Sequence, residues 1–345
     1  MSDRRKIRWL IAHFPVHLFQ RTAEAFGREL ETLCPGQFEL EIHTLDTFAE
    51  KYSDKYSNIN KRMPRLPGLE DKQGIAKKHA ATDVKEMYEK WDTFFDGLRE
   101  GDFEMSQTQV FTVAEKLHNK DFAALDLPFL FDNHDHVSRV LDGEIGDELC
   151  KGLENEKIRG LAFTYSGGYR IIGSTNGLSN LSDLAHTDLI VANRPSEVLF
   201  GNGFGTPILR RSEVANASLA EGVNDGMAVE TTYIRFTGKH VLKTNHSIFM
   251  TTILTGTKFL DSLTEDQRNA FMVAAKRVAK IEREWSVADA EKYERDAVTN
   301  GVTIIDLSEE DQALLQKRAK LSYRHVEDMG IDVNLVKRII ERRKD

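Results

Sequence analysis

KIRWLIAHFPVHLFQRTAEAFGRELETLCPGQFELEIHT, residues 6–44, is the stretch that settles the fold class. Lys6 to Ala12 is apolar and reads as a first buried strand. A helix is expected from about Val16 to Cys34, where Pro35-Gly36 ends it. Phe38 to Thr44 alternates apolar and polar residues, which marks a second strand. Strand, helix and strand in that order imply two parallel strands, because a right-handed crossover needs the helix between them. The expected class is α/β.

Lys51 to Lys90 differs in character: it is rich in Lys, Asp, Asn and Ser, with Pro64 and Pro67 in the middle, and reads as a surface insertion with a helical end near Val84 to Trp91. A helix from Trp91 then runs into a strand at Phe103 to Thr108. Downstream, an apolar turn starting at Leu125 precedes a helix from about Asp135 to Asn155, which makes His134 and His136 exposed helix-start residues. Strands are expected at Gly160 to Tyr165, from Tyr169 after Gly167-Gly168, and at Asp188 to Asn193, with a helix at Ser196 to Gly201. The clearest helix starts at Glu265. Thr264 and Gln267 have capping-box spacing, and Glu265 and Asp266 suit the positive helix start. The helical pattern continues to Thr299, before Asn300-Gly301, a length on the order of 50 Å. That exceeds one domain, so the helix is expected to lie across two lobes.

At 345 residues the chain suits two α/β lobes. A net charge of −8 argues against nucleic acid or an anionic membrane as the main partner, since both attract basic surfaces. No run reaches the roughly 20 apolar residues that span a bilayer. The charged start Ser2 to Lys6 leads into an apolar run broken by His13, Pro15 and His17, with no small-residue cleavage site, so it does not read as a secretory signal. Either a signal has been removed or the protein stays in the cytoplasm. Cys34 and Cys150 are expected to be free and structural, and no Cys/His zinc spacing is present. His13 and His17 are four apart, but Pro15 lies between them and no third ligand is identifiable, so neither metal nor cofactor is expected.

Four segments in order resemble one family, the solute-binding proteins of TRAP transporters of the dicarboxylate-binding (DctP) type. Asp96–Met105 (DGLREGDFEM) resembles the family's helix-to-strand segment L-x-x-G-x-x-D-M. Leu125–Asp132 (LDLPFLFD) with Val140–Leu149 (VLDGEIGDEL) resembles LPFLF…LDG-x-x-G-x-x-L. Gly160–Phe163 with Gly168-Tyr-Arg170 resembles LAF…G-F-R, and Ser212-Glu-Val214 with Glu221–Gly226 resembles S-E-x-Y-x-A-L-x-x-G-x-x-D-G. With Phe259–Leu263 after them, the likeness spans about residues 6 to 300.

The resemblance implies a two-lobed, periplasmic-binding-protein-like fold that closes on a ligand like a flytrap, with the long helix spanning both lobes. The lobes expected are residues 1–165 with 250–287 (lobe I, carrying the insertion near 51–90) and 166–249 with 288–345 (lobe II). The function it implies is that of an extracytoplasmic receptor, not an enzyme. Such a receptor is a periplasmic monomer that binds a small organic acid or related solute and delivers it to membrane permease subunits. The alternative use of the same fold is a ligand-sensing module of a signalling system. No nucleophile and base stand in a recognisable arrangement in the sequence.

In the family an arginine in an I-R-V strand holds the ligand carboxylate, because a planar guanidinium pairs both oxygens at once. Here the sequence departs. Ile190 falls where that arginine belongs, and Val229 falls where the family has an asparagine. Arg170 stands at the family's second arginine. The remaining ligand-contact candidates are Arg194 beside Asn193, which a register shift brings into the cleft, and Glu230. His13 and Phe14 after the first strand, with His17, and Gln107 to Gln109 after the third complete the set, since ligands gather at strand C-termini in open α/β sheets. The loss of the carboxylate-reading residues predicts a ligand other than a simple dicarboxylate.

Overall fold

The computed structural model describes residues 4–12, 16–53, 55–56, 84–174, 177–178, 180–191, 193–209, 219–223 and 240–344. Its strands are β1 (Arg5–Ile11), β2 (Phe38–Thr44), β3 (Met105–Gln109), β4 (Ile158–Ser174), β5 (Leu189–Ile190), β6 (Leu219–Val223), β7 (His240–Lys243), β8 (Ile248–Gly256) and β9 (Thr303–Asp306). β1 and β2 run parallel with Ile7 opposite Leu40, as the 6–44 stretch requires.

The sheet has two halves. The first is ordered β2-β1-β3-β8-β4. β4 then leaves it, and its second part pairs antiparallel with β6 on one side and β7 on the other, with β5 and β9 outside them. The fold is α/β and two-lobed. Between its two parts β4 bulges between Tyr165 and Tyr169, where Gly167 (φ 74°) and Gly168 (φ 70°) take left-handed backbone. Glycine adopts that region without the Cβ clash of other residues. The segment from β7 into β8 makes the same passage in reverse.

The first half is packed on both faces. Phe94, Phe95, Phe103, Phe122 and Leu254 share one core, and Trp9, Phe26, Phe271 and Ala275 share the other. Ile172, Leu184, Phe200, Leu242 and Leu315 form the core of the second half. The long helix runs Glu265–Thr299, as its capping box predicts. The Gln267 N–H donates to Thr264 Oγ1 (3.3 Å), and the Thr264 N–H donates to Gln267 Oε1 (3.1 Å). Ala270 to Ala279 pack on the first half, whereas Ala297 near the other end packs with Val241 and Val302 of the second. The middle of the helix holds the bulge: Glu282 Oε2 accepts from the Tyr165 N–H and Ser286 Oγ from the Gly167 N–H, both at 2.9 Å.

Four expectations need correction. The helix expected over 135–155 is two, His134–Leu141 and Glu144–Lys151, because the chain turns at Gly143, where a Cβ would lie 2.9 Å from the Arg139 carbonyl oxygen. His136 is buried, not exposed. Its Nε2 donates to the Ile339 carbonyl (2.8 Å), while half-buried His134 packs against Tyr165 and Tyr169. The C-terminal segment does not follow the partition that gave 288–345 to lobe II. Val326, Leu335, Val336 and Ile339 join the first-half core with Val137 and Leu141, because the apolar face of helix Val333–Glu341 needs that surface for burial. Most of the insertion near 51–90 lies outside the described residues, but Tyr56 within it is fully buried against Phe48 and Phe103, with its hydroxyl on Asp102 (2.8 Å). Cys34 and Cys150 are buried and free.

Candidate functional site

The bulge separates two buried polar groups. Before it, Gln107 on β3 sends its Nε2 to Thr164 Oγ1 (2.7 Å), Thr251 Oγ1 (3.1 Å) and Glu282 Oε1 (3.3 Å). Gln107 is 1% exposed and Glu282 0%. Burial pushes the Glu282 carboxyl up to about 8, because the hydrogen bonds from Tyr165 and Gln107 and the more distant Arg283 do not offset the lost solvation. The neighbouring cation is committed elsewhere: Arg283 donates to the Phe163 carbonyl (2.7 Å) and to Asp142 Oδ2 (2.6 Å).

After the bulge comes Arg170, 2% exposed although fully charged side chains are seldom buried unpaired. Its Nη2 donates to Asp126 Oδ1 (3.2 Å), its Nε lies 3.9 Å from Glu221 Oε1, and its guanidinium stacks 4.6 Å over the Phe249 ring. Asp126 comes from the short helix Lys120–Asp126, packed in the first-half core, and Glu221 from β6 of the second half. The two halves therefore meet on this cation. Glu221 Oε1 also accepts from Ser196 Oγ (2.6 Å) and from His246 Nε2 (2.8 Å), whose other ring nitrogen lies 2.9 Å from Thr244 Oγ1.

Both carboxylates are fully buried and answer burial differently. Burial raises Glu221, but Arg170, His246 and Ser196 together bring it down to about 2. Burial also raises Asp126, and Arg170 only limits the rise to about 6. Asp126 Oδ2 and Arg170 Nε are buried here without a hydrogen-bond partner, as are Asn193 Nδ2 at the cap of the next helix and Gln107 Oε1 in the group before the bulge. Buried orphans are uncommon and point to an unfilled role.

The sequence candidates divide accordingly. Arg170 stands at the junction of the halves. Gln107 belongs to the polar group held by the long helix, and Gln109, also buried, donates to Thr112 (2.6 Å) at the head of helix Val110–Lys116. Arg194 does not enter the site by a register shift: it is 63% exposed and ion-paired to Glu197 on its own helix. The strand expected over 188–193 is only Leu189–Ile190, because Asn193 caps the next helix, accepting from the Ser196 N–H (2.9 Å). Asn193 thus anchors Ser196, which touches Glu221. His17 is exposed and meets Tyr293 of the long helix (2.8 Å). His13, Phe14 and Glu230 lie outside the described residues.

Sequence reading missed Asp126, Ser196, Glu221 and His246 as site residues. The available signal was a carboxylate inside an apolar run: Asp126 in LDLPFLF and Glu221 in LAEGV. An acidic side chain in a buried strand or turn needs a partner, and Arg170 is the cation it finds. A separate open depression of about 680 Å³ lies on the outer side of the first half, between helix Glu144–Lys151 and the long helix; its Lys276 is already paired with Asp147 (2.6 Å). Among the described residues no three metal-binding side chains cluster, and no helix is long and apolar enough to cross a membrane.

A two-lobed α/β chain with a long bridging helix, crossover strands and a buried cation where the halves meet is of the solute-binding class. Residues 87–328 match the bacterial extracellular solute-binding proteins of family 7 (DctP), and the chain belongs to that family, which is one of binding proteins and not of enzymes. It is 30% identical over 189 residues to a solute-binding protein of Verminephrobacter eiseniae, covering 53% of this chain and 56% of the relative. It is 29% identical over 181 residues to the C4-dicarboxylate-binding periplasmic protein DctP of Rhodobacter capsulatus, covering 48% and 53%. These matches thus span about half the length of either relative.

Solved structures share the fold over nearly the whole chain. The sugar acid binding protein of Advenella mimigardefordensis, in complex with galactonate, matches with a TM-score of 0.74 at 17% identity, covering 99% of this chain and 98% of that one. A TRAP periplasmic solute binding protein from Desulfovibrio desulfuricans, with bound sn-glycerol-3-phosphate, matches at 0.72 and 20% identity, covering 98% and 96%. One from Shewanella oneidensis, with bound succinate, matches at 0.71 and 15%, covering 98% and 99%.

Proposed function

We propose that this chain is the periplasmic receptor of a TRAP-type transporter. In this reading it is a monomer that encloses a small organic acid or related polar solute at the junction of its two halves and delivers it to membrane permease subunits. The observation that carries the reading is Arg170, buried where β4 passes between the halves and beside the orphaned Asp126 Oδ2. Family membership and the relatives' ligands (succinate, galactonate and sn-glycerol-3-phosphate among them) support a small anionic or hydroxyl-rich solute. Closure needs no chemistry: a closed form differs in shape from an open one, and a permease that binds only the closed form receives loaded receptor.

Simple dicarboxylates fit this reading poorly. Ile190, where the family keeps its arginine, is a half-buried apolar side chain on β5, and Arg194 is committed at the surface. Calorimetry of ligand-stripped protein against organic acids tests both parts. The expected result is micromolar or tighter binding of an organic acid, lost in Arg170→Met, with succinate and malate weak. Tight succinate or malate binding contradicts the ligand reading, and undiminished binding by Arg170→Met contradicts the site.

A further inference from the structure

Phe129 belongs to the first half by its chain and to the second by its side chain. Leu125, Leu127, Leu130 and Phe131 on either side of it are buried in the first-half core. Phe129 itself packs against the second-half core, the one that holds Phe200 and Leu242. Its backbone is left-handed, with φ 56°, a region that a residue with a bulky side chain keeps only when its surroundings impose it.

Four hydrogen bonds impose it. The Phe129 N–H donates to the His246 carbonyl (2.6 Å), in the segment that leads from β7 into β8. The Phe129 and Leu130 carbonyls both accept from Arg343 Nη2 (2.6 and 3.0 Å), and the Pro128 carbonyl accepts from the Tyr323 hydroxyl (3.0 Å). Three of these four bonds reach in from the C-terminal segment, which is itself a passage between the halves. Leu315 and Ala319 of helix Glu309–Arg324 lie in the second-half core, where Ser322 Oγ donates to the Pro195 carbonyl (3.0 Å). The next residue, Tyr323, holds Pro128 and packs on the first-half core, and Val326, Leu335 and Ile339 follow it there. Adjacent residues thus grip opposite halves, and the chain returns to the same turn at Arg343.

We infer that the C-terminal segment is a strap that restrains the opening of the halves: Tyr323 and Arg343 clamp the Pro128–Leu130 turn so that Phe129 stays seated in the second-half core. The inference rests on the halves moving as the receptor reading requires. Gly167-Gly168 lets the β4 passage bend, whereas a ring seated in the opposite core ties the swing of the halves to contacts away from β4. A wider swing lowers the fraction of receptor ready to bind, and affinity falls in proportion.

Spin labels test the strap in ligand-stripped protein. Labels at Glu39→Cys in the first half and Glu310→Cys in the second, both exposed, read the distance between the halves. Glu39→Cys with Glu144→Cys, both in the first half, is the control pair, and the native cysteines are buried. The clamp variant Tyr323→Phe/Arg343→Met and the variant Phe129→Ala are each expected to broaden the inter-half distribution by more than about 2 Å, the scale of a domain rearrangement. The control pair is expected to stay as it is. Because the clamp acts through the ring, combining the two variants is expected to broaden the distribution no further than Phe129→Ala alone. If that variant or the combination melts without cooperativity, Tyr323→Phe alone, which loses one hydroxyl and keeps its ring, is expected to broaden it in the same direction. An unchanged inter-half distribution in the folded clamp variants, equal broadening of the control pair, or broadening that adds in the combination overturns the inference. No ligand enters this measurement, so its failure is separate from that of the receptor reading, which calorimetry of Arg170→Met tests.

Discussion

Glu282 and Glu221 lie on opposite sides of the Gly167-Gly168 bulge, both fully buried, and titrate in opposite directions. Glu282 is pushed up to about 8 by burial, with backbone and amide donors around it and the nearest arginine bound elsewhere. Glu221 is brought down to about 2, against the same burial, by Arg170, His246 and Ser196. The difference teaches that burial alone does not decide the charge of a carboxyl; its partners do. It also separates two structural jobs. The Glu282 group ties the long helix to the passage between the halves, whereas the Arg170 group joins the halves through buried charge.

The contrast can be broken from the charged side first. Arg170→Met leaves Glu221 and Asp126 buried without their cation and is expected to cost about 3–5 kcal/mol in chemical denaturation, the usual penalty for unpairing a buried ion pair. A loss under 1 kcal/mol makes the cluster far wetter than described.

On the other side, pH is the lever. The folded-state value of Glu282, about 8, lies above its ordinary value of 4.5, so the folded protein holds a proton that the unfolded chain releases. Its contribution to stability is therefore greatest below about pH 4.5 and is lost as pH rises toward 8. Glu282→Gln, neutral throughout, is expected to flatten that slope and to gain roughly 1–3 kcal/mol over the parent at pH 8, read from melting curves between pH 5 and 9. Glu221 has the reverse sign: its contribution is present above about pH 4.5 and disappears as pH falls toward 2.

Two smaller effects sharpen the boundary. Gly168→Ala meets no atom within 4 Å, so its expected cost, about 1 kcal/mol, comes from the positive φ alone and is read by denaturation. Arg194→Ala, at an exposed ion pair, is expected to change stability by less than about 0.5 kcal/mol and ligand affinity not at all.

Local sequence signals carried the fold far. The strand-helix-strand stretch gives the parallel β1–β2 pair, and Thr264 with Gln267 places the long helix at its observed start. Both depend on neighbours along the chain. The failures depend on distant ones. Asn193 reads as a strand end until its side chain is seen capping Ser196, and helix Val333–Glu341 crosses back to the first half because its apolar face finds Val137 and Leu141 there. The site was half legible for the same reason. Arg170 is marked by its place beside a glycine pair, but nothing local says that Asp126, 44 positions away, and Glu221 on another strand converge on it. Arg194, the nearest cation to the missing family arginine, was the attractive substitute, and helix geometry turns it to solvent.

A crystal structure of the protein with the ligand that co-purifies bears most directly on the receptor reading. The account predicts ligand density between the halves, with a carboxylate within hydrogen-bonding distance of Arg170 and Arg194 remote from it. Ligand density away from Arg170, or a dicarboxylate forked on Arg194, contradicts the account.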